Sequence, residues 1–337
     1  MSADVIGNLV RGMGAGEAAG WMNADFRIFS LPAKRVNRLR ILSKLGDDDR
    51  TTIVPRPFAH ATPPAALHPG AGDNLEWFAF TLAGHRATAG TGSRDLLHAA
   101  WIDLAERPEP VRSRIGTRLA LTNLRNGLRP PQSGHDNAHY FDDIAMSRAL
   151  AAVVEYAGNE EEILAATVAD AEVTHSLDGV WCARGTALLF SRLLAGDAPA
   201  EAAAVAAASL PPETWSARMA AGALEIAAGS AGPLDLARRL STELGDWVYS
   251  YPVTAPETFG FLLAHVSRAQ NAESLLLGAL AQGRNAASLP ALVGAAAGVL
   301  YGAEWTARDL GVEELRLTGL CVPEYAGRAI AEFLPAA

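Results

Sequence analysis

Six glycines stand in two runs at four-residue spacing: Gly12, Gly16 and Gly20 near one end of the chain, and Gly294, Gly298 and Gly302 near the other. A helix puts every fourth residue on one face, so each run would form a ridge without side chains. Glycine in a helix interior costs about 0.5–1 kcal/mol relative to alanine, and a protein keeps such a ridge where backbones must come close. The spacing therefore predicts two helices packed tightly at the centre of a domain. The competing explanation is chance in a chain with 31 glycines.

Elsewhere the apolar residues recur at intervals of three and four and seldom of two, the period of helices. Helices are expected over Leu75 to Ala89, Ser93 to Glu106, Ile144 to Tyr156, Glu160 to Ala171, Val180 to Leu194, Ala200 to Ala207, Pro233 to Leu244, Glu257 to Arg268, Asn271 to Gln282 and Leu289 to Tyr301. Thr254-Ala-Pro-Glu and Ser288-Leu-Pro place a capping side chain before an early proline, which marks two of these starts. From Arg27 to Pro69 prolines cluster, and a long surface loop is expected. The chain reads as all-α, and without a linker between self-sufficient patterns it reads as one domain over residues 1–337.

Half of the 337 residues are hydrophobic, enough for a large core. The net charge of −9 disfavours nucleic acid, which draws on concentrated positive surface. The basic run from Arg35 to Lys44 is followed at once by Gly46-Asp-Asp-Asp and reads as a solvated helix with its cap. The most apolar run, Leu289 to Ala303, is shorter than the ~18 residues of a membrane span. Two cysteines, Cys182 and Cys321, imply neither a disulfide framework nor a zinc site. With no signal-peptide layout at the N-terminus, a cytoplasmic protein is expected.

Three polar segments carry the candidate chemistry. Gly72-Asp-Asn-Leu-Glu-Trp sets Asp73 and Glu76 three residues apart, as paired acids on neighbouring faces of a first helical turn or as a capping box. Pro130 to Ala149 collects His135, Asp136, Asn137, His139, Tyr140, Asp142, Asp143 and Arg148 before a helix. His135 and His139 lack a third histidine in register for a metal site, and Asp142 and Asp143 serve equally well as acids or as helix caps. The turn Gly283-Arg-Asn-Ala-Ala-Ser offers Asn285 and Ser288, amide and hydroxyl groups able to contact a sugar diol or to cap the next helix. No nucleophile elbow, P-loop or dinucleotide fingerprint occurs in a suitable context.

Several stretches, in order, resemble the ADP-ribosylglycohydrolase family. These are Gly-Asn-Leu-Val-Arg-Gly-Met-Gly-Ala-Gly-Glu-Ala-Ala-Gly from Gly7, Thr174-His175 with Val180-Trp-Cys-Ala-Arg-Gly-Thr-Ala after it, Ala255-Pro-Glu, and Gly283 to Gly302. The resemblance implies a compact orthogonal all-α domain that removes ribosyl groups from their acceptors, usually with two divalent metals. It also locates departures. The family's Thr-Asp-Asp-Thr corresponds to Gly72-Asp73-Asn74-Leu75, and its late aspartate pair corresponds to Asn285 and Ala287, with Ser288 kept. Mg²⁺ and Mn²⁺ want several anionic oxygens, so Asp73 is the one residue left to hold a single, weakly bound ion. Glu17 takes the place of the family's first-helix aspartate.

The expectation is an N-ribosyl hydrolase acting on a small nucleoside-like or ADP-ribosyl ligand. Asp73, Glu76, Asp142 and Asp143 would share the catalysis. Asn74, His135, Asp136, Asn137, Tyr140, Arg148, Asn285 and Ser288 would hold the substrate. The alternative is a catalytically inactive relative that binds such a ligand or only a protein partner. Under the first reading, the Asp73, Asp143 and Ser288 segments must converge.

Overall fold

A computed structural model describes residues 3–30, 71–89, 91, 93–109, 111–245, 253–282, 284–286, 288–310, 312 and 314–334. In chain order the helices are α1 (Ala3–Ser30), α2 (Asp73–Thr88), α3 (Asp95–Glu106), α4 (Ile115–Arg125) and the short α5 (Gln132–His135). There follow α6 (Ile144–Glu155), α7 (Glu160–Ala171), α8 (Asp178–Ala195), α9 (Pro199–Ala208), α10 (Trp215–Ala228) and α11 (Pro233–Arg239). The last four are α12 (Ala255–Ser267), α13 (Ala272–Leu280), α14 (Leu289–Tyr301) and α15 (Glu304–Leu310). Among the described residues β-pairing is confined to two isolated bridges, Asp142 with Thr254 and Arg316 with Ala329. The fold is all-α in one compact body, and no described helix is long and apolar enough to cross a membrane.

The centre is the crossing of α1 and α14, the most extensive helix contact among the described residues. It is a contact of backbone on backbone. A Cβ on Gly12 would overlap the carbonyl oxygen of Gly294, and a Cβ on Gly294 would overlap that of Gly12. Gly16 faces the Pro290 carbonyl in the same way, and Gly298 faces that of Asn8. The glycine ridges are thus the surfaces through which the two helices touch, with one correction: Gly302 follows the end of α14 with φ +75 and caps the helix instead of extending its ridge.

Around this pair, α2 packs on α6, α6 on α8, and α10 on α12. Leu9, Met13, Leu75, Phe78, Phe190, Phe259 and Leu292 are fully buried between them. A second cluster joins α2, α3 and α4, where Trp77 stacks on Trp101 at 5.3 Å and Phe80 meets both rings edge-on. Apolar periodicity locates most of the helices within about two residues, but α4, the short α5, α10 and α15 add to the expected set. In addition, α1 runs on to Ser30, past the expected exit at Arg27. The rest of that expected loop, including the basic run, lies outside the described residues.

Gly298→Leu is expected to lower stability by about 1–3 kcal/mol or more by forcing α14 away from the Asn8 carbonyl. Gly7→Ala, where the nearest atom to a new Cβ is the tip of Arg11 at 3.8 Å, should leave the melting temperature unchanged or raise it. Thermal melts of the two variants check the pair, and equal melting temperatures would contradict it.

Candidate functional site

Five helix starts face one another beside the α1–α14 crossing. Asp73 opens α2, Arg114 precedes α4, Asp143 precedes α6, Thr258 lies in the first turn of α12, and Ser288 precedes α14. Pro256 and Pro290 sit second in α12 and α14, within the first turn, where a missing N–H costs nothing and a fixed φ favours the helix. The unpaired N–H groups and positive ends of such helices attract negative charge, and two of the starts carry aspartates.

Arg114 joins them. Its Nε donates to Asp73 Oδ2 at 2.6 Å and its Nη2 to Asp73 Oδ1 at 3.1 Å, a two-pronged ion pair. Nη2 also reaches Asn74 Oδ1 at 3.4 Å, while Nη1 donates to Asp143 Oδ1 and lies 3.7 Å from Asp142 Oδ1. Asp143 is fully buried and further held by Thr258 Oγ1 at 2.6 Å and Ser288 Oγ at 2.8 Å. Asn285 Nδ2 donates to Thr258 Oγ1 at 2.7 Å, extending the network to the turn before α14. Asn285 itself is buried with a left-handed backbone, φ +58, and its Oδ1 has no hydrogen-bond partner among the described residues. Beside it, Arg284 Nε donates to both oxygens of buried Glu257, at 2.8 and 3.0 Å. The cluster opens outward at Asp73, whose side chain keeps 23% of its exposure against 8% for Arg114 and none for Asp143.

Glu17 supports the cluster from α1. Its carboxyl accepts the backbone N–H groups of Gly72, Asn74 and Leu75 at 2.8, 2.7 and 3.1 Å and Asn74 Nδ2 at 2.8 Å, capping α2 from another helix. Burial, reinforced by the charge of Asp73, pushes the Glu17 pKa up to about 7 against the pull of those hydrogen bonds. Burial likewise pushes Asp142 up to about 7, with Arg114 opposing and Asp143 adding to the shift. For Arg114, burial pulls downward but is outweighed by Asp73, Asp143 and Asp142, so the guanidinium is held above its ordinary range.

The structure therefore brings together Asp73, Asn74, Asp142, Asp143, Asn285 and Ser288, and it places the other expected residues elsewhere. Glu76 turns to the far side of α2, where it accepts from the backbone N–H groups of Thr318, Leu320, Cys321 and Val322 and from Thr318 Oγ1. That carboxylate anchors the C-terminal segment. Arg148 pairs with buried Asp170 at 2.8 Å, donates to Thr174 Oγ1 and lies over the Trp101 ring at 4.8 Å. Asn137 is bonded to the Gly116 and Thr174 carbonyls. His135 and Asp136 are exposed, and neither they nor Tyr140 shares a hydrogen bond with the Asp73–Asp143 cluster among the described residues. Gly283 and Ala287, singled out in the sequence, lie outside the described residues.

Sequence reasoning missed Arg114, Glu257, Thr258 and Arg284. Thr258 and Glu257 had a signal in the Thr254-Ala-Pro-Glu start. Arg114 had none, being one of several arginines between Arg107 and Arg129.

The arrangement does not fit a family-type pair of divalent metals. Both oxygens of Asp73 already face Arg114, and Asp143 shares an oxygen with the same guanidinium. The Asn74 amide oxygen accepts from Ser147 Oγ at 2.7 Å. Asn285 Nδ2 and Ser288 Oγ point hydrogens, not lone pairs, into the network. Among the described residues no group of three or more His, Cys, Asp or Glu is arranged to hold a metal ion.

The sequence model of the ADP-ribosylglycohydrolase family matches residues 9–335. No curated protein matches the sequence. Among solved structures, one described as an "ADP-ribosylglycohydrolase-related protein complex" is similar at 20% identity and a TM-score of 0.52, over 89% of this chain and 88% of that one. At that identity the likeness is one of fold.

Glu17 gives a pH-dependent test. Its pKa rises from 4.5 to about 7 on folding, so the folded state holds the proton more tightly, and the stabilisation is full below 4.5 and lost as pH rises through about 7. The melting temperature of Glu17→Gln, which stays neutral, should therefore gain on that of the unmodified protein between those two values. A constant difference across the window would contradict the assignment.

Proposed function

The chain belongs to the ADP-ribosylglycohydrolase family, and from that premise we propose that it hydrolyses an N-glycosidic bond to ribose in a small nucleoside-like or ADP-ribosyl substrate. Family and fold support a glycohydrolase-type function. The observation that carries the finer reading is the meeting of Asp73, Asp143, Asn285 and Ser288, far apart in sequence, on one buried hydrogen-bond network whose most exposed acid, among the described residues, is Asp73.

Cleavage of such a bond passes through an oxocarbenium-like state and needs negative charge near the anomeric carbon, a base for water and a proton for the leaving group. Asp143 is locked by Arg114, Thr258 and Ser288 and supplies fixed charge. Asp73, the more exposed acid, receives the proton of the attacking water. Asp142, raised to about 7 by burial, holds a proton near neutral pH and is the acid of the set. Asn74 belongs to the wall beside Asp73, and the unpartnered Oδ1 of Asn285 is an acceptor for a ribose hydroxyl. Glu76 is left out of the chemistry because its oxygens serve the C-terminal segment.

A second reading, a binding protein without turnover, draws on one observation: the neutral Asn74 and Asn285 stand where the family usually offers aspartates. The two readings part on a simple assay. Asp73→Asn and Asp143→Asn should each lower turnover of an ADP-ribosyl or nucleoside substrate by at least ~10²-fold, the partly exposed Asp73 at little cost in melting temperature and the buried Asp143 at a larger one, because its loss leaves Arg114 partly uncompensated. Should the unmodified protein show ligand-induced stabilisation with ADP-ribose but no turnover of any such substrate, the binding reading replaces the hydrolytic one.

A further inference from the structure

We infer that Arg114 is a built-in cation that takes over the charge role of the divalent metals, making this site one that neutralises its acids from within the chain. The inference rests on the proposed location of the site but not on its turnover. Three observations carry it. First, the guanidinium lies between the acids: it grips Asp73 through two bonds at 2.6 and 3.1 Å, is ion-paired to Asp143 and stands 3.7 Å from Asp142. Second, its N–H groups are directed to Asp73, Asn74 and Asp143, which leaves it little to offer a substrate; it is a positioning residue for the two aspartates.

Third, its place is unfavourable on local grounds. Arg114 directly precedes α4, where the helix end is itself positive and repels a cation. Moreover, its side chain is only 8% exposed. Only the surrounding carboxylates offset both penalties, and the same carboxylates would repel one another without it. The neighbouring groups agree with a guanidinium centre and not with a metal. Ser288 Oγ and Thr258 Oγ1 donate hydrogens to Asp143, and Asn74 Nδ2 donates to Asp73 at 3.2 Å and to Glu17 at 2.8 Å.

The test is Mn²⁺ binding, read by calorimetric titration and by the shift in melting temperature on the full-length protein, with no assay of activity. The unmodified protein should bind well under one Mn²⁺ per chain and melt at the same temperature with Mn²⁺ or chelator. Arg114→Lys, which keeps a charge, should behave alike. Arg114→Ala leaves Asp73 and Asp143 uncompensated, so it should melt lower in chelator, recover in Mn²⁺, and bind the ion at least about tenfold more tightly than the unmodified protein. Adding Asp143→Asn should abolish that gain. Tight binding of one or more Mn²⁺ by the unmodified protein overturns the inference, as does a folded Arg114→Ala without any Mn²⁺ response. If Arg114→Ala does not fold, the titrations of the unmodified protein and of Arg114→Lys decide alone. Failure here leaves the hydrolytic reading standing, because that reading is judged by turnover.

Discussion

Everything at the site depends on how closely α1 and α14 approach. Gly12 and Gly16 meet Gly294 and Pro290 backbone to backbone, and no side chain larger than hydrogen fits at those crossings. Because that contact admits one register, it fixes two groups at once. One residue beyond Gly16, Glu17 is delivered to the start of α2, where it organises Gly72, Asn74 and Leu75. At the other helix, Ser288 is set within reach of Asp143. A packing constraint written in glycines thus becomes a constraint on the positions of acids.

The acids are stable there because of what surrounds them. Aspartates at the starts of α2 and α6 complement the positive ends of those helices, and Arg114 balances the charge that remains. Burial then separates the roles: Asp142 and Glu17 are pushed towards the neutral form near pH 7, whereas Asp73 and Asp143 are ion-paired. Carboxyl groups with different environments in one cluster are the usual raw material of acid and base chemistry.

Much of this was legible in the sequence. The bounds of α7 and α14 follow from apolar period, and the spaced glycines announce the central crossing, but Thr254 and Ser288, read as capping side chains, make no cap bond, the Ser288 hydroxyl being turned to Asp143 instead. Asp73, Asp143 and Ser288 were singled out as polar residues at helix starts, and they meet. What failed did so for geometric reasons. Asp73 and Glu76, three residues apart on one helix, diverge enough that one faces Arg114 and the other a segment more than 240 residues away. Arg148 belongs in sequence to the polar segment before α6, yet its partner is Asp170 on the next helix. Arg114 could not be told from its neighbours, since its partners come from other helices and only the fold assembles them.

The most direct test of the account is an anomalous-scattering crystal structure grown in Mn²⁺. The expected map shows the Arg114 guanidinium between Asp73 and Asp143, with no anomalous peak between those carboxylates. A Mn²⁺ peak there, with Arg114 displaced from both aspartates, would contradict it.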